Sequence, residues 1–216
     1  MDKFLIKGPC KVKGTVNISG SKNASLPILA ASILFDEMVE IKNLPNVRDI
    51  DTMLSLIKSL GFNVKQNKNS NSVVIKKSKK INTFASYSLV KTMRAGILVL
   101  GPLITKFGKA KTSLPGGCLI GARPINYHLN ALKKLGMNYK IEKGYVNAFA
   151  KSKLTGSNIF FPKISVGATE NAILAATLAN GKTILKNCAI EPEIKNDLTN
   201  FLNLSLIHIS EPTRLA

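Results

Sequence analysis

Three segments of the chain are apolar on every face. Leu26–Phe35, Ala95–Lys106 and Asn171–Asn180 carry hydrophobic residues at nearly every position rather than along one stripe, so each predicts a helix buried all round. Two other segments, Asp51–Leu60 and Asn126–Leu135, mix apolar and polar positions at helical spacing and predict outer helices. Both end in a repeated phrase: Leu60-Gly61-Phe-Asn-Val-Lys65 recurs 75 residues later as Leu135-Gly136-Met-Asn-Tyr-Lys140. The glycine stands just past the helix end, where a left-handed backbone is needed, and the chain then enters a strand. Gly181 is read in the same way at the end of the third buried helix. Further strands are predicted at Met38–Ile41, Val73–Ile75, Thr112–Leu114, Tyr145–Ala150 and Thr183–Leu185.

The order helix, strand, turn, helix, strand, strand thus occurs twice and begins a third time. Three fully apolar helices at equivalent places predict an α/β fold turned inside out, with helices at the centre and sheets and outer helices around them. The third unit should reach its own Leu-Gly near residues 205–211, but the chain reads Leu204-Ser-Leu-Ile-His-Ile-Ser-Glu-Pro-Thr-Arg-Leu-Ala216, and Pro212 interrupts any helical period. Residues 204–216, which resemble translated sequencing-adapter DNA, are therefore read as a non-native tail, and the third repeat as incomplete.

Charge changes this picture locally. The chain carries 31 basic and 12 acidic residues, a net charge of +19. Residues 52–141 hold 16 of the basic residues and no Asp or Glu. Such a stretch points to an anionic partner. Only four of the basic residues are Arg, against 20 Asn in the chain, so many of the lysines are compositional drift on a solvated surface. An Arg that survives this bias marks a place where a planar bidentate donor is needed, which singles out Arg94 and Arg123. The longest apolar runs are about ten residues, too short to span a bilayer. The N-terminus lacks a signal-peptide core, and the three cysteines have no CxxC spacing, so a reducing cytoplasm is expected. No HxH, HExxH, GxGxxG or P-loop pattern occurs, and no metal or dinucleotide cofactor is expected.

Four places could carry chemistry. In Ser113-Leu-Pro-Gly-Gly-Cys118-Leu-Ile-Gly121-Ala-Arg123-Pro124 a glycine-rich loop presents a thiol with no acidic residue within 20 positions, the setting of a reactive cysteine. Cys10 and Cys188, each in or beside a strand, are read as buried structural thiols. Ser21-Lys22-Asn23-Ala24 opens the first buried helix, where free N–H groups, the helix dipole and Lys22 make an anion site; Ser and Asn also serve as plain caps. Lys163-Ile164-Ser165-Val166-Gly167 opens the third by the same logic. Arg94 opens the second, and its partner must come from outside residues 52–141 or be a ligand. Weaker signals are Lys76–Lys80, read as a solvated turn, and His128, read as a packed or surface histidine.

Together these residues closely resemble the enolpyruvyl transferase family, in the branch whose acceptor is UDP-N-acetylglucosamine. The carriers are Ser21-Lys22-Asn23-Ala24, Met93-Arg94-Ala95, Leu114-Pro-Gly-Gly-Cys118 through Gly121-Ala-Arg123-Pro124, and Ser165-Val-Gly-Ala-Thr169. The likeness runs from Met1 to about Asn203 and covers half the length of a family member. It implies an inside-out α/β barrel of repeated units, here incomplete, with residues 1–21 packing against an absent second domain and residues 22–203 forming the first domain. It implies transfer of the enolpyruvyl group of phosphoenolpyruvate to the nucleotide sugar, with no cofactor. Cys118 matches the family's proton donor, the thiol alkylated by fosfomycin. Lys22 and Asn23 match phosphoenolpyruvate contacts. Arg94, Arg123, Pro124, Ile125, Asn126, Tyr127, Lys163, Ile164, Ser165 and Val166 match nucleotide-sugar contacts. Asn126 stands where many relatives carry Asp, and the family's catalytic Asp lies in the absent half, so the fragment itself is expected to be inactive. The sister transferase acting on shikimate 3-phosphate works without the loop cysteine. A basic nucleic-acid-binding module, the reading from charge alone, lacks a recognition motif, and with 6% aromatic residues and no Trp it offers few side chains on which bases could stack.

Overall fold

The structure, a computed structural model, describes residues 3–115 and 125–205. The first unit runs α1 (Lys22–Ala31) with a 3₁₀ turn over Ser32–Leu34, β1 (Val39–Ile41), α2 (Arg48–Ser59), β2 (Phe62–Asn67) and β3 (Ser72–Lys77). A short connection holds β4 (Phe84–Ala85) and α3 (Tyr87–Val90). The second unit repeats the order: a 3₁₀ stretch over Arg94–Val99 leading into α4 (Leu100–Phe107), then β5 (Lys109–Ser113), α5 (Asn126–Lys134), β6 (Asn138–Glu142) and β7 (Tyr145–Phe149). After β8 (Asn158–Phe160) the third unit follows with α6 (Val166–Ala176), β9 (Ile184–Lys186), a π-helical turn over Glu193–Leu198 and α7 (Thr199–Ser205).

Each unit has its own small sheet. β1-β3-β2 is antiparallel, with Val64 opposite Ile75. β4-β5-β7-β6 is antiparallel except for the parallel pair β4–β5, and β8–β9 is parallel. The strand that leaves one unit therefore pairs in parallel with the first strand of the next. Alternate residues of the second sheet, Ala110, Thr112, Val146 and Ala148, turn inward.

The centre is helical, as the all-round apolar pattern requires. Leu29 and Ile33 of the first unit, Leu100 and Leu103 of α4, and Ala172 and Ala175 of α6 are buried in one continuous core. The alanines of α6 let its neighbours approach closely, and the leucines and isoleucine fill the space between the helices. The outer helices α2 and α5 bury one face only: Ile50, Met53, Leu54, Leu56 and Ile57 in α2, and His128, Leu129, Ala131 and Leu132 in α5. The two repeated glycines sit just past the C-caps of these helices at φ +92° and +108°. At Gly61 a Cβ would also lie 2.2 Å from the Lys80 carbonyl oxygen, so glycine is required twice over.

Several expectations need correction. The third buried helix runs from Val166 to Ala176, earlier than the apolar run suggests, because Ser165 caps it; Gly181 lies beyond its end. Lys76 and Lys77 belong to β3, and Lys77 reaches Asp36 at 2.6 Å and the Phe107 ring, so this run is not a free turn. Cys10 is exposed and Cys188 half-buried. Residues 3–19 form no strand, and Phe4, Ile6, Val12, Val16 and Ile18 are exposed with them, so nothing covers Cys10. No helix among the described residues is long and apolar enough to cross a membrane.

Candidate active site

The last turns of the three central helices, Leu34–Phe35, Thr105–Phe107 and the Leu178 region, line one cavity of about 910 Å³. Lys106 lines it, donating to the Leu34 carbonyl at 2.8 Å and pairing with Asp36 at 3.1 Å. Cations belong at helix C-termini, and Lys106 fills that role. The candidate cations stand at the other ends of these helices, at or just before their first turns.

At the start of α1, Ser21 accepts from the Ala24 amide at 3.3 Å, and Ser25 donates to the Ser21 carbonyl at 2.7 Å. That cap leaves Lys22 and Asn23 exposed. Lys22 pairs with Asp49 in the first turn of α2 at 3.0 Å, with both side chains partly exposed. A half-solvated pair of this kind is worth about 0–1 kcal/mol, so Lys22 can exchange Asp49 for an anionic ligand at little cost. Asp49 was not anticipated from sequence, since nothing local marks a pairing across 27 positions.

Arg94 begins the 3₁₀ stretch of the second unit, exposed and with no acidic partner among the described residues. The stretch is 3₁₀ for a visible reason. Where an α-helix would bond the Gly101 amide to the Ile97 carbonyl, the side chain of Asn171 from α6 is inserted instead. Its Oδ1 accepts from Gly101 at 2.7 Å, and its Nδ2 donates to Ile97 at 3.0 Å. A Cβ at Gly101 would lie 2.4 Å from Asn171 Oδ1. Asn171 is fully buried and also meets His128 Nδ1 at 3.2 Å.

At the start of α6, Ser165 accepts from the Ala168 amide at 3.4 Å, and Thr169 donates to the Ser165 carbonyl at 2.8 Å. Lys163, Ile164 and Val166 are exposed beside this cap. Asn126 is exposed in the first turn of α5, with Ile125 and Tyr127 half-buried on either side. His128 follows on the inner face, its imidazole edge against Gly167 of α6. Burial and, second, the Arg94 charge push its pKa down to about 4, so the ring is neutral. Glu170, one turn into α6, is buried; desolvation, then Glu191 and Glu193, push it up to about 7. The structure thus gathers Arg94, the start of α5 and the start of α6 around Asn171 and His128. Cys118, Arg123 and Pro124 lie outside the described residues.

Comparison with known proteins agrees with this architecture. A family model described as EPSP synthase (3-phosphoshikimate 1-carboxyvinyltransferase) matches residues 6–215. The UDP-N-acetylglucosamine 1-carboxyvinyltransferase of Pelagibacter ubique is 63% identical over 202 residues, which cover 94% of this chain and 48% of the relative. That of Pseudoalteromonas atlantica is 53% identical over 203 residues, with the same coverage. The chain spans about half the length of the curated relatives it matches. Among solved structures, the enolpyruvyl transferase NikO from Streptomyces tendae superposes with a TM-score of 0.76 at 18% identity, covering 88% of this chain and 44% of that one. An EPSP synthase from Acinetobacter baumannii superposes at 0.67 and 17% identity, covering 83% and 42%. The structural likenesses establish the fold, the inside-out α/β arrangement expected from the repeats. With a family model matching nearly the whole chain, this chain belongs to the EPSP synthase family of enolpyruvyl transferases.

Proposed function

We propose that this chain is the substrate-gathering half of a cytoplasmic enzyme that transfers the enolpyruvyl group of phosphoenolpyruvate to the 3′-hydroxyl of UDP-N-acetylglucosamine, the first committed step of peptidoglycan synthesis. The observation that carries the reading is the 63% identity across 94% of the chain to a transferase named for that nucleotide sugar. The solved EPSP synthase is far more distant, at 17%. The Pro-Gly-Gly-Cys118 loop supports the same choice over shikimate 3-phosphate.

The chemistry follows from the residue types. Both substrates are polyanions, and their mutual repulsion has to be offset by fixed cations and N–H donors. Lys22 and Asn23 take the phosphoenolpyruvate at the start of α1. Arg94, the Arg123–Tyr127 segment and Lys163–Val166 take the nucleotide sugar. The acceptor hydroxyl loses its proton to the family's catalytic Asp as its oxygen bonds to C2 of phosphoenolpyruvate and Cys118 gives its proton to C3, producing a tetrahedral adduct. The C–O bond to phosphate then breaks, C3 returns a proton to the Cys118 thiolate, and the double bond reforms. A cysteine on a glycine loop can close over the bound sugar and exclude water. The catalytic Asp and further Arg residues of the family belong to the half absent here, so turnover requires it, and residues 1–21 are its packing partner.

The test has two arms. The purified 216-residue chain should release no phosphate from the substrate pair, and the gene extended past Asn203 to the relatives' full length should release it. In that longer protein, fosfomycin should form one covalent adduct, on Cys118. Turnover by the 216-residue chain, or an adduct on Cys10 or Cys188, would overturn the assignment.

A further inference from the structure

The three central helices do not start alike. α1 and α6 are α-helical from their first residue, and each is capped by a serine, Ser21 or Ser165. The middle one opens with six residues of 3₁₀ helix, Arg94–Val99, and no side chain caps it. Runs of 3₁₀ helix longer than about three or four residues are uncommon, because their hydrogen bonds are poorer, so this one has to be held. Asn171 of α6 holds it. The Ile97 carbonyl accepts the Leu100 amide, which is the 3₁₀ bond, and also Asn171 Nδ2 at 3.0 Å, while the Gly101 amide donates to Asn171 Oδ1 at 2.7 Å. Both partners of the α-helical bond from Gly101 to Ile97 are thus taken. Glycine at 101 is what admits the side chain, since a Cβ there would lie 2.4 Å from Oδ1. Within the stretch, a Cβ on Gly96 would lie 3.3 Å from Val90 Cα, so this turn packs closely against α3.

The form of this stretch decides where Arg94 stands. A 3₁₀ helix rises about 2.0 Å per residue with about 3.0 residues per turn, an α-helix about 1.5 Å with about 3.6. Over six residues the difference carries Arg94 about 3 Å further from Gly101 and about a third of a turn round the axis. Arg94 is exposed and has no acidic partner among the described residues, so no ion pair sets its reach. A planar guanidinium holds an oxyanion by two parallel bonds only when it meets it at the right distance and angle. We propose that Asn171 is a positioning residue for substrate binding: by taking both ends of the Ile97–Gly101 bond it keeps Arg94–Val99 in the 3₁₀ form and so sets the reach and heading of Arg94. The ligand of Arg94 rests on the reading under Proposed function; the control by Asn171 rests on its two hydrogen bonds. Asn171 is fully buried and acts only through the backbone it holds.

The test uses the gene extended past Asn203 to the relatives' full length, with Asn171→Ala, Asn171→Asp, Arg94→Ala and the doubles. Aspartate has the shape of asparagine and still accepts from Gly101, but its carboxylate cannot donate to Ile97, so it carries the test if the alanine variant does not fold. Arg94→Ala should raise the KM for UDP-N-acetylglucosamine by about tenfold or more. The variants at 171 should raise it by about tenfold, the share of one charge-assisted hydrogen bond. Loss of folded enzyme alone lowers the apparent kcat and leaves KM in place. In the Arg94→Ala background the change at 171 should leave KM within about twofold, because its effect passes through the guanidinium. An effect through His128, which Asn171 also meets, would persist there. Crystal structures should show residues 94–99 rewound towards α-helix in Asn171→Ala, with the Gly101 amide on the Ile97 carbonyl. An unchanged KM in the variants at 171, an equal rise with and without Arg94, or a 3₁₀ stretch that survives Asn171→Ala overturns the proposal alone. If the extended protein does not turn over, or Arg94→Ala leaves KM unchanged, the reading under Proposed function fails and this proposal with it.

Discussion

Glu170 occupies an awkward position for a carboxyl group. It lies on the buried side of α6, with the carboxylates of Glu191 and Glu193 as its charged neighbours and no cation paired to it among the described residues. Burial comes first among the causes that raise its pKa from 4.5 to about 7. Because the folded value exceeds the unfolded one, its contribution to folding is fully present below pH 4.5 and is lost as pH rises through about 7. Glu170→Gln, which mimics the protonated form, should stabilise the fold above pH 7 by an amount on the order of 3 kcal/mol, and by little below pH 4.5. Melting curves of the two proteins across that range check it; a gain independent of pH would mean that the carboxyl does not titrate there. His128 works in the opposite sense. Its folded value is depressed to about 4, so its contribution is present above 6.5 and is lost as pH falls toward 4. Neither effect was legible in the sequence, where Glu170 and His128 are single polar letters in otherwise ordinary helices. Cys10 misleads for the complementary reason: its neighbours alternate like a strand, but a strand buries a face only when another element covers it.

At the scale of the element, the junction of the 3₁₀ stretch with α4 depends on one side chain from another helix. Asn171 replaces a missing turn of backbone hydrogen bonding, and Gly101 leaves room for it. Asn171→Ala should cost about 2–4 kcal/mol, because it strands the buried Gly101 N–H and the His128 ring nitrogen. Gly101→Ala should cost about 2–3 kcal/mol, because its methyl would overlap Asn171. The double variant should cost somewhat less than the sum, since removing the amide relieves one overlap but the methyl still lies 2.6 Å from the residue 171 carbonyl oxygen. Chemical denaturation of the four proteins gives the cycle, and simple additivity would show that the two residues act separately. The local punctuation of other elements was readable beforehand: the caps at Ser21 and Ser165 and the glycines at 61 and 136 act within four residues of their own helices. The insertion of Asn171 spans 70 positions and has no local signature.

At the scale of the whole molecule, the described chain leaves a row of apolar side chains in water. Phe4, Leu5, Ile6, Val12, Val16 and Ile18 are each at least 79% exposed along residues 3–19. So much exposed apolar surface on one segment is a site for association with another chain. In sedimentation velocity the 216-residue chain should self-associate, and removal of residues 1–20 should shift it towards monomer without loss of the cooperative core. Unchanged association would place the sticky surface elsewhere, for example at Ile190 and Leu204 near the third unit.

The net charge takes a different meaning at this scale. Much of the excess within residues 52–141 decorates exposed strand positions and turns, as at Lys65, Lys76, Lys79 and Lys80. A few cations, Lys22, Arg94 and Lys163, stand at the first turns of helices. What the sequence determined by itself was the repeat, the inside-out layering and the glycine-ended outer helices, because all-round apolarity, caps and C′ glycines are local quantities that each segment states about itself. The ladder gap filled by Asn171, the lowered pKa of His128, the raised pKa of Glu170 and the pairing of Lys22 with Asp49 were decided only by tertiary structure. Each depends on the distance between groups from different units, and that distance exists only once the three helices have packed.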